Sequence, residues 1–185
     1  MGELVIFVPK TKRRPDLNLD DDVSEILEEA IETAKQSFGR KIEKIFWVYG
    51  SFENLLRSKI TNLLMTHYNI DTDLFRCSLY VSGMLEEFLS SHPESFYATH
   101  YFSRGHDECN PDLFKKGGDM CFLLCTFFEG RFRKNRHGLK LDDYLLFGSQ
   151  LYFAYHAETK NSIGYCMGKN FREIVSVTRQ SIRTI

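Results

Sequence analysis

The sequence predicts an all-α protein, a single-domain bundle of about six to eight helices spanning residues 1–185. Residues 1–22 are the one stretch free to stand apart, as a short N-terminal strand or an extended, mobile arm. Three observations predict this. Apolar residues recur every three to four positions in segment after segment. Capping residues, prolines and glycines punctuate those segments where helices should start and stop. The chain of 185 residues is 43% hydrophobic and 26% charged, which suits one ordinary core without staples.

Leu4–Val8 is a β-branched run ended by Pro9, and it fits a short strand or a buried arm. Lys10–Asp22 mixes basic, proline and acidic residues and reads as a loop. Asp20, Asp21 and Asp22 place negative charge at the positive end of a helix. That helix carries Val23, Ile26, Leu27, Ala30, Ile31, Ala34 and Phe38 on one face and stops at Gly39. Ile42–Tyr49 fits either a strand paired with Leu4–Val8 or a helical turn, and the helical turn is favoured.

Ser51 is placed to cap a helix that runs to about Tyr68 on Phe52, Leu55, Leu56, Ile60, Leu63 and Leu64. After the turn at Asn69–Asp73, Asp71 or Thr72 caps the next. Its inner face is Leu74, Phe75, Leu79, Val81, Leu85, Phe88 and Leu89, and His92-Pro93 closes it. Ser95–Phe102 predicts a short helix and Arg104–Asn110 a polar loop. Asn110-Pro111 then opens a helix, with a capping side chain followed by proline at the first position.

Gly117-Gly118 predicts a break, after which Asp119 caps Met120–Glu129. That segment is apolar on nearly every side and should be the most buried helix. Gly130–Lys140 is a basic loop. Asp142 should cap a helix to about Ala157, with Tyr144, Leu145, Gly148, Leu151, Tyr152 and Tyr155 inward. A last helix from about Ile163 to Ser181 uses Met167, Phe171, Ile174, Val175 and Thr178. Short connections favour antiparallel neighbours.

Net charge is −1, from 24 basic and 25 acidic residues, so no global field recruits nucleic acid or anionic lipid. The longest apolar stretch, Met120–Phe128, falls well short of the ~20 residues needed to span a bilayer, so no membrane contact is expected. Five cysteines form neither a disulfide framework nor a zinc pattern, which points to reduced thiols in the cytoplasm. Cys121 and Cys125, four apart among apolar residues, read as small core residues before they read as a thiolate pair.

Two groups carry possible chemistry. His100, His106, Asp107 and Cys109 gather ligand-type side chains around the polar loop, and His156 and Glu158 are available to converge with them. The bland alternative is a solvated loop, because no E-x-x-H or H-x-x-x-H pair is present. Arg131, Arg133, Lys134 and Arg136 form the densest positive cluster and suit phosphate or partner contact. The same charges also complement the C-terminal dipole of the preceding helix. Gly148 inside a helix costs about 1 kcal/mol relative to alanine, so a close neighbour should compensate. Together with Tyr144 and Tyr152 it also suits an aromatic-lined groove.

Lys116 to Tyr152 resembles a group of bacterial helical proteins in which Gly-Asp opens an apolar helix ending in Phe-Phe. A basic loop and a Tyr-x-x-x-Gly-x-x-x-Tyr helix follow in that group. Here the motif is Gly118-Asp119, Phe127-Phe128, Arg131 to Arg136, and Tyr144, Gly148 and Tyr152. Glu129 stands where proline would follow Phe-Phe. The resemblance implies a helical fold and little else, since that group carries no assigned activity.

The expected function is that of a non-enzymatic interaction or regulatory protein, binding a protein partner or its own copies, without a cofactor. A metal- or cofactor-using helical enzyme is the alternative, built on His100, His106, Asp107, Cys109 and His156. Nucleic-acid binding through residues 131–140 comes third. Whether the protein is an enzyme stays open at the level of sequence.

Overall fold

The computed structural model describes residues 51–67, 72–91, 93–128 and 140–183, all inside one compact unit, Ser37–Ile185. Among the described residues the protein is all-α. The six helices are α1 (Phe52–His67), α2 (Thr72–Ser90), α3 (Ala98–Asp107), α4 (Pro111–Phe127), α5 (Leu141–Thr159) and α6 (Ser162–Arg183). The expectations for Leu4–Val8, for the helix after Asp20, for Ile42–Tyr49 and for the basic stretch 131–139 lie outside the described residues.

Side-chain signals place the starts of four helices. Ser51 Oγ accepts the Asn54 N–H at 3.1 Å, and Glu86 of α2 accepts the Glu53 N–H at 3.2 Å. Two otherwise orphaned donors at the start of α1 are thereby satisfied. Asn110 Oδ1 accepts the Asp112 N–H at 3.1 Å, with Pro111 at the first position of α4. At α5 the helix begins one residue before the expected cap. The Asp143 carboxylate accepts the Lys140 N–H at 2.7 Å, while Asp142 pairs with Arg172 at 2.8 Å across the surface. Asn161 Oδ1 accepts the Ile163 N–H at 2.9 Å and so starts α6.

α4, α5 and α6 form the centre. α3 lies on α4, and α1 and α2 pack on α6. Paired residues show the directions. Leu151 and Tyr152 meet Gly117 and Gly118, whereas Gly148 meets Cys121, so α4 and α5 are antiparallel. Ser149 donates to the Gly168 carbonyl at 2.6 Å and Asp142 reaches Arg172, so α5 and α6 are antiparallel too. The core runs through Leu55, Leu56, Ile60, Val81, Leu85, Phe122, Leu151, Tyr152, Phe171 and Ile174. Cys121 and Cys125 are buried within it.

Four local expectations are corrected. Gly117-Gly118 does not break the chain, because α4 runs unbroken from Pro111 to Phe127. Both glycines are buried under neighbours. A Cβ on Gly117 would lie 3.2 Å from Tyr101 Cβ, and one on Gly118 2.9 Å from the Tyr152 ring. Packing against bulky side chains outweighs the roughly 1 kcal/mol per glycine that helix propensity charges. Asp119, read as a cap, is therefore a mid-helix residue. Arg104–Asp107, read as loop, is the last part of α3. Phe75, read as inward, is exposed.

α6 bends at Asn170, whose φ of −105° and ψ of 15° are not helical. Side chains mend the interrupted ladder: Asn170 Nδ2 donates to the Cys166 carbonyl at 3.1 Å, and Ser149 Oγ donates to Gly168. Beyond the bend, Arg179 Nε donates to the Cys125 carbonyl at 2.8 Å. A cation thus sits on the C-terminal end of α4, the end of the helix dipole that favours positive charge.

Candidate functional site

Side chains from three helices meet at Asp119. Tyr80 of α2 donates its hydroxyl to Asp119 Oδ1 at 2.5 Å, and Tyr152 of α5 donates to the same oxygen. The two rings stand edge to face, 6.2 Å apart. Lys115, one turn before Asp119, lies over the Tyr80 ring with Nζ 5.3 Å from its centroid. Gly118 gives the Tyr152 ring its place beside the backbone of α4. Phe171 closes the inner side, 5.8 Å from Tyr152.

The electrostatics of this cluster follow from its position. Burial holds the Asp119 carboxyl above its ordinary value, opposed by Lys115 and by the two phenol hydrogen bonds. Burial, and then the Asp119 charge, push Tyr80 and Tyr152 well above the usual phenol range. Both phenols therefore remain donors across physiological pH. With Tyr80 and Tyr152 both donating to one oxygen of Asp119, the arrangement ties α2, α4 and α5 together as a three-helix clasp. The sequence marks Tyr152 as inward and Asp119 as a cap, and it has no signal for Tyr80 as their partner.

The raised Asp119 value has a measurable consequence. Between its unfolded value near 4 and its higher folded value, the folded state keeps a proton that the unfolded state has released. The Asp119 contribution to stability therefore falls as pH rises through that window and levels off above it. Urea midpoints of the wild-type protein and of Asp119→Asn, measured from pH 4 to 8, should show the difference between them shifting against the wild type. A constant difference across that range rules this out.

The predicted ligand-type residues do not gather into one centre. His100 is exposed on α3 beside Tyr101, with ring centroids 5.9 Å apart. His106 packs edge to face on Phe102 at 4.7 Å and near-perpendicular to Phe114 at 5.1 Å. Asp107 and Cys109 are exposed, and Cys109 holds a left-handed backbone with φ 49°. His156, on α5, has Nδ1 2.8 Å from the Asn161 carbonyl. Among the described residues, no three His, Cys, Asp or Glu side chains form a group able to hold a metal ion. The structure does bring three of the residues offered by the sequence, His106, Cys109 and Glu158, to one half-open cavity.

The cysteine pair packs as small residues of the core. Burial pushes the Cys121 thiol well up, and it pushes Cys125 up to about 12 even with Arg179 and Arg172 nearby. Burial thus disfavours the thiolate form at both sulfurs. No groove opens above Gly148, because the Phe171 ring and Cys121 fill that space. Arg131, Arg133, Lys134 and Arg136 lie outside the described residues.

One surface stands out for what it leaves uncovered. Leu146 and Phe153 are seven residues apart and share a face of α5, with relative exposures of 61% and 39%. Tyr165 of α6, 46% exposed, meets Phe153 edge to face at 6.2 Å. The Phe153 ring lies against Gly168, where a Cβ would come within 2.8 Å of it. The exposed Asp142–Arg172 pair borders this apolar stripe. Among the described residues, no helix is long and apolar enough to cross a membrane. No family model, no curated protein and no solved structure matches the chain.

Proposed function

We propose that this is a non-enzymatic helical interaction protein that pairs with a second copy of itself through the outer face of α5 and α6. The observation that carries the reading is the aligned stripe of Leu146, Phe153 and Tyr165, large apolar side chains left in water. Aromatic anchors of this type dominate interface energetics. A two-fold pairing lays the same stripe on itself, so one surface serves both sides. A net charge of −1 imposes almost no repulsion between copies. The exposed Asp142–Arg172 pair supplies both signs of charge at the rim.

Size-exclusion chromatography with light scattering tests this. The wild-type protein should approach dimer mass at micromolar concentration. Phe153→Glu and Tyr165→Glu should each weaken pairing by about 2 kcal/mol, roughly thirtyfold in Kd, while circular dichroism stays helical. A wild-type protein that remains monomeric up to ~100 µM, well above a micromolar Kd, overturns the reading.

A further inference from the structure

We infer that the half-open cavity between the end of α3, the start of α4 and the end of α5 is a binding site for a small organic cation. The ligand class is a primary ammonium group on a short apolar or aromatic body. This inference is independent of the pairing of copies proposed above, because it uses a different part of the surface.

The cavity holds about 170 Å³ and is lined by Gly105, His106, Cys109, Pro111, Phe114 and Glu158. At ~30 Å³ per liquid water this is room for several waters or one small organic molecule. Its walls are built rather than incidental. Gly105 is bare where the Phe114 ring sits, since a Cβ there would lie 2.6 Å from Phe114 Cε1. Phe114 is thereby pulled down beside α3, and His106 stands against it with ring centroids 5.1 Å apart. Phe102 supports both rings from behind, at 4.7 Å from His106 and 6.1 Å from Phe114. Pro111 adds a second rigid apolar wall.

Charge decides the ligand class. Among the described lining residues, Glu158 is the one carboxylate, and none is Lys or Arg. Among the described residues no ion pair engages Glu158. The nearest guanidinium in sequence, Arg104, is already committed to Glu108 at 2.7 Å and Glu94 at 3.2 Å. Asp107 and Asp112, both exposed, add negative charge on the flanking turns. An aromatic wall beside an unengaged carboxylate is the arrangement that recognises an organic ammonium, through an ion pair and a cation–π contact. Among the described lining residues an anion would meet Glu158 with no Lys or Arg to offset it, and no group of three His, Cys, Asp or Glu able to hold a metal ion forms among the described residues.

Cys109 makes the site readable. It is the exposed thiol on the cavity wall, while Cys77, Cys121, Cys125 and Cys166 are buried. Its reaction with the neutral disulfide 4,4′-dithiodipyridine, followed by pyridinethione release, reports occupancy. Benzylamine is the probe. Its roughly eight heavy atoms support a millimolar Kd at ordinary ligand efficiency. At ~10 mM benzylamine the modification of Cys109 should slow about tenfold, and saturably. Glu158→Gln should abolish that protection, and Phe114→Leu should weaken it. Benzyl alcohol, the neutral isostere, should protect at least severalfold less.

Equal protection by benzyl alcohol and benzylamine would overturn the cationic assignment. Absence of saturable protection, with no heat of benzylamine binding by calorimetry, would overturn the site itself. Because Glu158 is exposed, the Gln variant should fold as the wild type does, and its circular dichroism serves as the control. Dimer mass measured in the same samples separates this result from the pairing of copies.

Discussion

Tyr152→Ala should destabilise the protein by about 3–5 kcal/mol, the usual cost of truncating a large buried aromatic. Typical domains hold only about 5–15 kcal/mol in total, so the variant should populate unfolded chains at ambient temperature. Three losses combine. The ring is fully buried and fills the space that Gly118 leaves beside α4. It also contacts Tyr80 and Phe171. Its hydroxyl satisfies Asp119, so truncation strips one of two donors from a carboxylate that burial already penalises. Tyr152→Phe separates these contributions. It keeps the ring and removes the donor, and should cost about 1–3 kcal/mol. Chemical denaturation of both variants checks the ranking. Equal effects of Phe and Ala would mean that the hydroxyl carries everything and that ring packing is immaterial.

The same cluster shows what sequence can and cannot convey. Helix identity was legible because it is written locally. Ser51 and Asn110-Pro111 sit where helix starts need them, and the inward faces of α1, α5 and α6 follow the 3.6-residue period. What failed was non-local. Gly117-Gly118 looks like a break because glycine alone has poor helix propensity. The compensating Tyr101, Leu151 and Tyr152 arrive from other helices. Asp119 looks like a cap because Asp commonly is one, and its true partners lie 39 and 33 residues away along the chain. The ligand-type residues illustrate the converse error. Proximity in sequence suggested one centre. α3 instead continues through Asp107, leaving His100 exposed two turns from the cavity that His106 and Cys109 line. Of the two α5 residues offered as partners for this loop, Glu158 reaches the cavity and His156 does not line it.

Gly148 should be the least replaceable small residue in α5. On helix propensity alone, Gly148→Ala would stabilise by about 1 kcal/mol. The structure reverses the sign. A Cβ at this position would meet the tip of the Phe171 ring and would lie 2.8 Å from Cys121 Cβ. The Phe171 ring cannot yield freely, because Phe122 and Tyr152 hold it at 6.0 and 5.8 Å. Cys121 Cβ is fixed to the α4 backbone. Overpacking of this kind costs about 1–3 kcal/mol, and more for larger side chains. Gly148→Ala should therefore be net destabilising, and Gly148→Leu should lose about 3 kcal/mol or more. The double variant Gly148→Ala with Phe171→Leu is the discriminating measurement. Leucine removes the ring tip that the new methyl group would strike. The pair should lose less than the sum of its single changes, with a coupling of about 1 kcal/mol in its favour. Strict additivity would show that the α4–α5 contact through Cys121, and not Phe171, sets the limit on residue 148.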